Sequence, residues 1–367
     1  MVAAGATAAG VRGIRRYSAG IEEDIFAFQR AAYPLRREDL VAPRWRWMFL
    51  SSAVRLGVEP MVWVYCNKDG VVAHQGAIPV RLQVGDRERI TGWFVETMAL
   101  ESVRGKAVGP MLVAKAKQDV PFNLSLGQTP QMRALQFSLG WRQVCPLETW
   151  TFVLNSTRVL TGRLPSRPAR AVAAAVLGAR QRVRYLRGQR RMDWVPEVRL
   201  LDRFESVHDR LWETVKHQYP CAVVRDSSYL NWKYVEQPGQ DFIRVEVRRG
   251  GDTIAVAALL VLEPDQTYRY SRGFIVDLVL PVQDSDVAWV VLDELRKVFV
   301  ARSTDMIVFH LINAPLARVV RRFGFFPREP QRFFLIALDE TIDPSAAALR
   351  PENWLVTMGD SDIDRPW

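Results

Sequence analysis

Cysteine, histidine and long apolar runs are scarce in this sequence, and each scarcity removes a class of protein. Three cysteines in 367 residues, Cys66, Cys145 and Cys221, form neither a CxxC pair nor an even framework, which excludes a disulfide scaffold and fits a reducing compartment. The four histidines are dispersed without cysteine or carboxylate partners at ligand spacing, so no metal site is expected. Neither G-x-S-x-G nor HExxH nor GxxxxGK[ST] occurs, which leaves hydrolase, zinc-protease and P-loop chemistry without a motif. No apolar run approaches the roughly 20 residues that cross a bilayer; the longest, 171–179, is stopped by Arg170 and Arg180. The first residues put small side chains ahead of the arginines, the reverse of a signal peptide. A cytoplasmic location is expected.

Acids and lysines are missing altogether from residues 155–192, which carry ten arginines. The formal net charge of +10 therefore belongs to this segment, and the rest of the chain is balanced. Val176, Ala179, Val183 and Leu186 fall at 3-4-3 spacing within it, so a basic amphipathic helix is expected. Such a helix suits a membrane surface, RNA or an acidic protein, or is simply the solvated face of a connecting helix. The last residues group Asp360, Asp362 and Asp364 without the further ligands and glycine of a calcium loop, which reads as an acidic tail.

What is present is a repeat. "MRALQFSLGW" (132–141) and "LARVVRRFGF" (316–325) each place apolar residues on one helical face and stop at a glycine, Gly140 or Gly324, 184 residues apart. "RWRWMFL" (44–50) matches "YLNWKYV" (229–235), "GWFVETMAL" matches "GFIVDLVLP", and "FNLSLGQ" matches "DMIVFHLIN". The order in each copy is strand, helix, hairpin, long strand, helix, strand, helix, strand. Hairpins combined with βα crossovers imply an α/β fold with a mixed sheet flanked by helices. The tryptophans Trp45, Trp47 and Trp232 read as packing or interface, with an aromatic wall for a sugar as the other reading.

The chemistry is concentrated in "MALESVRGKAVGP" (98–110). Gly105, Ala107 and Gly109 stand between an apolar strand and a helix, where small residues serve either a tight turn or a ligand that approaches the backbone closely. Free N–H groups at the helix start would cradle an anion, and Arg104 and Lys106 would add charge. The second copy has Asp284 and Asp286 at this junction and no glycine, so a phosphate ligand is expected in the first copy only. Within the apolar strand before the loop, Glu96 is the sole charged residue, and Asp277 holds the comparable place in the second copy. Each is read either as a working carboxylate or as one arm of a salt bridge. His74 and Gln75 are candidates for an acceptor pocket, though a lone histidine is more often only hydrogen-bonded.

The element order together with "RGKAVG" resembles the GNAT acetyltransferase superfamily, whose acyl-CoA loop reads Q/R-x-x-G-x-G/A. Arg104 and Gly109 fit it, while Ala107 stands where the pattern has its first glycine. The resemblance covers both copies and implies two tandem acyl-CoA N-acyltransferase-like domains, 11–154 and 193–340, joined by the arginine-rich linker 155–192 and followed by the tail 341–367. It implies an N-acyltransferase using acetyl-CoA as cosubstrate, held by Met98, Ala99, Leu100, Arg104, Gly105, Lys106, Ala107, Val108 and Gly109, with Glu96 as catalytic acid–base group. The acceptor would be an amine, on a small molecule or on a saccharide of an envelope or exopolysaccharide precursor. Tandem relatives also transfer aminoacyl groups from charged tRNA, and a degenerate binding module is the third reading. The tyrosine that protonates the leaving thiolate in many members is replaced by Gln136 and Val320; Tyr65 is a substitute candidate.

Overall fold

A computed structural model of the chain describes residues 12–161, 166–189, 193–339, 341, 343 and 346–364. Arg163, Arg190 and Arg191 of the basic segment and the last three residues of the acidic one lie outside them. The first unit runs β1 (Gly13–Arg16), α1 (Glu22–Ala32), α2 (Glu38–Arg46), α3 (Ser52–Leu56), β2 (Val62–Asn67), β3 (Gly70–Val84), β4 (Arg87–Ala99), α4 (Val108–Asp119), β5 (Asn123–Leu126), α5 (Pro130–Ser138) and β6 (Arg142–Pro146). After β7 (Glu148–Val153), α6 (Ser156–Leu160) and α7 (Arg167–Gly188), the order recurs with one strand added and one helix fewer: β8 (Glu197–Leu200), α8 (Ser206–Val215), β9 (Cys221–Val223), α9 (Ser227–Tyr234), β10 (Ile243–Arg249), β11 (Asp252–Leu262), β12 (Arg272–Val279), α10 (Ser285–Ala301), β13 (Met306–Ile312), α11 (Ala314–Phe323) and β14 (Phe326–Arg328). β15 (Phe333–Ala337) and β16 (Trp354–Thr357) follow. The α/β class and mixed sheet expected from the sequence are what the structure has.

In each unit four strands are antiparallel neighbours and the fourth is parallel to the fifth: β1-β2-β3-β4 with β5, and β8-β10-β11-β12 with β13. The strands that complete them are exchanged. β15, from late in the chain, inserts antiparallel between β5 and β6, and β7 inserts between β13 and β14. Residues 148–153, which the repeat places at the end of the first copy, therefore belong to the sheet of the second. A short link through β9 and β16 joins the two halves into a single mixed sheet.

The units meet through equivalent residues. Trp47 and Trp232, aligned by the repeat, stack with ring centroids 4.7 Å apart and 14° between planes. Each indole N–H donates to the other's carbonyl, at 2.8 and 3.2 Å. Trp47 opens a π-helical turn, Trp47–Ser51, inserted between α2 and α3. Both tryptophans are buried, so of the two sequence readings they take packing at an interface.

The acidic end is not a tail. β16 pairs with β13 and β9, and Asp360, Asp362 and Asp364 are all buried. A buried carboxylate needs a cation, and here the second unit supplies them. Arg225 donates to Asp360 at 2.6 Å, and Lys233 pairs with Asp364 at 3.1 Å. Ile363 lies over Gly127 at the end of β5, so this segment reaches from the second unit to the first.

Candidate active site

The β4–β5 ladder holds only two pairs, Trp93↔Leu124 and Phe94↔Ser125. Beyond Phe94 the strands part while β4 continues to Ala99, leaving one edge of β4 without a neighbouring strand. A β-bulge sits at the parting: β3–β4 register shifts between His74 and Gly76, leaving Gln75 opposite Glu96 and Thr97. Glu96 adopts φ +56°, a left-handed conformation uncommon for any residue that carries a Cβ.

Both ends of Glu96 are fixed. Its carboxylate is held bidentately by Arg36, from the loop between α1 and α2, at 2.6 and 2.8 Å. Its carbonyl accepts from His74 Nδ1 at 2.8 Å, and Trp45 Nε1 donates to His74 Nε2 at 3.1 Å. Because an indole N–H can only donate, His74 carries its proton on Nδ1. Burial lowers the His74 pKa below the ordinary histidine value, so the ring is neutral. His74 thus supports the backbone at the bulge, and Gln75 points its amide to Gly76 and accepts from the Thr97 hydroxyl.

A cavity of about 340 Å³ opens where the strands part. Thr97, Met98 and Ala99 form one wall, the loop with Arg104, Gly105, Ala107, Val108 and Gly109 the second, and the start of α5, from Thr129 to Leu135, the third. Gly105 and Ala107 are both left-handed, at φ +77° and +59°, and turn the chain into α4. Val108 and Gly109, in the first turn of α4, have no carbonyl four residues back inside the helix. An added Cβ at Gly105 or Gly109 would meet nothing within 4 Å. The small residues therefore keep space open in front of free N–H groups and the positive end of a helix dipole.

Of the residues singled out in the sequence, Met98, Ala99, Arg104, Gly105, Ala107, Val108 and Gly109 line this cavity; Leu100, Lys106 and Glu96 do not. Lys106 and Arg104 are exposed at the loop, donating to Ser102 and Ala99 carbonyls. Tyr65 is on β2, two strands from β4, where Arg12 donates to it at 3.2 Å. Gln136 is buried and bonded to Ser125, which also accepts from Gln128. The wall from α5 escaped the sequence reading, although Thr129 before Pro130, whose hydroxyl caps Met132 N at 3.2 Å, is a legible helix start.

The second unit fills the same place. Past Ile275 and Phe309 its β12 and β13 also part, but β16 takes up the freed edge of β13, and Gly359 N–H donates to the Val276 carbonyl at 2.8 Å. Asp277 is surrounded by Arg225, Tyr234 and Thr357. At the start of α10, the Asp284 carboxylate accepts from Asp286 and Val287 N–H, occupying its own helix terminus. A groove of about 190 Å³ remains, with no residue of β12 in its lining. A larger cavity, about 610 Å³, is elsewhere, between β7, β14 and α11, and no glycine is among its described lining residues.

Comparison with known proteins gives the fold its name. The chain matches solved structures of the GNAT acyltransferase fold. A conserved protein of Enterococcus faecalis, a probable N-acyltransferase, superposes with a TM-score of 0.60 at 9% identity, over 89% of this chain and 73% of that one. Saccharomyces cerevisiae N-myristoyltransferase, solved with bound myristoyl-CoA, gives 0.56 at 13% identity, over 89% and 83%. A GCN5-related N-acetyltransferase from Anabaena variabilis gives 0.57 at 11%, over 88% and 71%. No family model matches the sequence, and no curated protein matches it.

Proposed function

We propose that the protein is an acyl-CoA-dependent N-acyltransferase, with acetyl-CoA as cosubstrate and an amine, on a small molecule or a saccharide, as acceptor. The observation that supports this most is the cavity where β4 and β5 part, closed at one end by a loop and helix start that Gly105, Ala107 and Gly109 keep narrow. A pyrophosphate suits that cradle: the N–H groups of Val108 and Gly109 belong to the first turn of the helix at its rim, and Arg104 and Lys106 are on the adjoining loop. The edge of β4 beyond Phe94, where no strand among the described residues lies beside it, fits an amide-bearing arm laid alongside it as an added strand.

When bound, acyl-CoA supplies a thioester whose carbonyl carbon accepts the amine nitrogen as the carbon–sulfur bond breaks. The chain's part is placement and polarisation. Edge N–H groups of β4 beyond the bulge direct hydrogen bonds at the reacting carbonyl, in a site that Met98, Met132 and Leu135 keep apolar. Arg36 and His74 fix the bulge that aims them. Transfer is direct: burial pushes the Cys145 and Cys221 thiols up to about 12, so neither offers a thiolate for an acyl-enzyme. Gln136 has no acidic proton to give, so coenzyme A leaves as the thiolate and the proton released from the amine nitrogen passes to solvent. The second unit, its cleft filled, contributes structure.

Calorimetric titration of acetyl-CoA tests the reading. One molecule per chain is expected to bind the wild type, and Gly109→Glu is expected to weaken binding at least tenfold by placing a carboxylate in the cradle. Because Cβ at that position meets no neighbour, the variant keeps its fold and its melting temperature. Absence of binding to the wild type would overturn the proposal.

A further inference from the structure

α7 carries the basic segment, and it turns its apolar residues outward. The inward face is made by Gln181, which bonds both the N–H and the carbonyl of Val153, by Tyr185, which reaches Asp293 at 2.9 Å and packs on Trp289 and Phe323, and by Gly188. At 100° per residue, Val172, Val176, Ala179, Val183 and Leu186 fall on the opposite side. The four larger ones are 45–65% exposed. Arg182 borders this stripe on one side and Arg180 and Arg187 on the other, and no acid occurs in the helix.

A second observation adjoins the stripe. Gly188 ends α7 so close to α11 that a Cβ would stand 3.0 Å from the Arg322 carbonyl. This approach gathers Arg184, Arg187, Arg321 and Arg322 around a cleft of about 300 Å³ whose only other lining residue among the described ones is Gly188. Last-turn arginines complement a helix dipole, which accounts for Arg187, Arg321 and Arg322 singly but not for four arginines lining one space, of which Arg184 also stands over the Phe326 ring at 5.0 Å. No described carboxylate lies within ion-pair distance of any of the four. The chemistry the cleft takes is a phosphate.

We infer that the outward face of α7 is a membrane-surface anchor, lying in the headgroup region of an anionic bilayer with the four-arginine cleft seated on lipid phosphate. An apolar stripe with arginines on both borders suits that interface, where the stripe enters the acyl boundary and the guanidinium groups stay at phosphate level. RNA would leave the stripe unused, since the helix has one aromatic residue, Tyr185, and it faces inward. A second α7 packed on the stripe would set arginine against arginine. No helix among the described residues is long and apolar enough to cross a membrane, so the contact is superficial.

Vesicle flotation of the full chain tests this. Wild-type protein is expected to float with phosphatidylcholine vesicles containing phosphatidylglycerol, not with phosphatidylcholine alone, and to be released by salt. Arg187→Gln/Arg321→Gln/Arg322→Gln is expected to weaken binding roughly a hundredfold, at about fivefold per arginine. Val176→Ser/Val183→Ser/Leu186→Ser is expected to lose most of the rest; Val176→Ser alone replaces it if the triple variant melts early. Several outcomes overturn the inference: no flotation, equal flotation with neutral vesicles, serine variants that bind like wild type, release by glycerol phosphate at concentrations that do not disturb the vesicles, or tighter retention on RNA.

Discussion

The two units share element order, bulge and buried arginine–carboxylate pair, yet one has an open cleft and the other is closed by the chain's own end. In the first, Arg36 holds Glu96 and the space beyond the bulge is empty of protein. In the second, Arg225 holds Asp277 and also Asp360, which arrives with the strand that fills the corresponding space. The loops follow suit: glycine and alanine leave one helix start bare, and Asp284 covers the other. One scaffold thus supports a ligand-sized gap or a solid core, and the difference lies in a few residues at the parting of two strands.

Removing the shared cation is the most severe way to break the comparison. Arg225→Met leaves Asp277 and Asp360 buried together with neutral hydrogen-bond donors but without the cation they share, at a cost of about 3–5 kcal/mol. Denaturant unfolding should show a large fall in midpoint, or no soluble protein. The matching change in the first unit is milder. Glu96→Gln leaves Arg36 with Gln29 at 2.8 Å and the face of Tyr33 at 3.5 Å, so a loss of about 1.5–3 kcal/mol is expected, the worth of hydrogen bonds to a charged group. Turnover should persist with an unchanged pH profile, since the carboxylate is turned from the cavity; turnover lost at unaltered acetyl-CoA affinity would instead mark Glu96 as the base.

Acidification loads both units at once. Burial lowers the pKa of His74 in the first unit and of His208 and His310 in the second, the last to about 4. A depressed histidine contributes stability that is complete above its unfolded value near 6.5 and is lost as pH falls toward the folded value. At pH 5 His310 alone removes about 2 kcal/mol. Melting temperature should decline between pH 7 and 5, before most carboxylates titrate, and His310→Gln should flatten that decline.

The repeat was legible because local pattern carries it: Trp47 and Trp232 align by spacing and are found stacked on each other. The loop was legible for the same reason, since left-handed turns and close approach demand small residues wherever they occur. Strand exchange was not, because the pattern of β7 or β15 specifies a buried strand but not which neighbour it pairs with. The acidic end misled more thoroughly. Asp360 looks solvated in a stretch of aspartates, and its counter-charge, Arg225, is 135 positions away. Glu96 shows the same limit: its partner Arg36 lies on the far side of two helices, a π-turn and two strands.

The exchanged strands set an order on synthesis. β5 and β6 leave the ribosome with a gap between them that only β15 fills, roughly 190 residues later. At about 5–20 residues per second, that is on the order of ten to forty seconds during which the nascent first half shows an open, apolar sheet edge. Expressed alone, neither half would have a complete sheet. The chain has to be finished before either part of it is, and a change in β15 that weakens its pairing would prolong that exposure beyond synthesis.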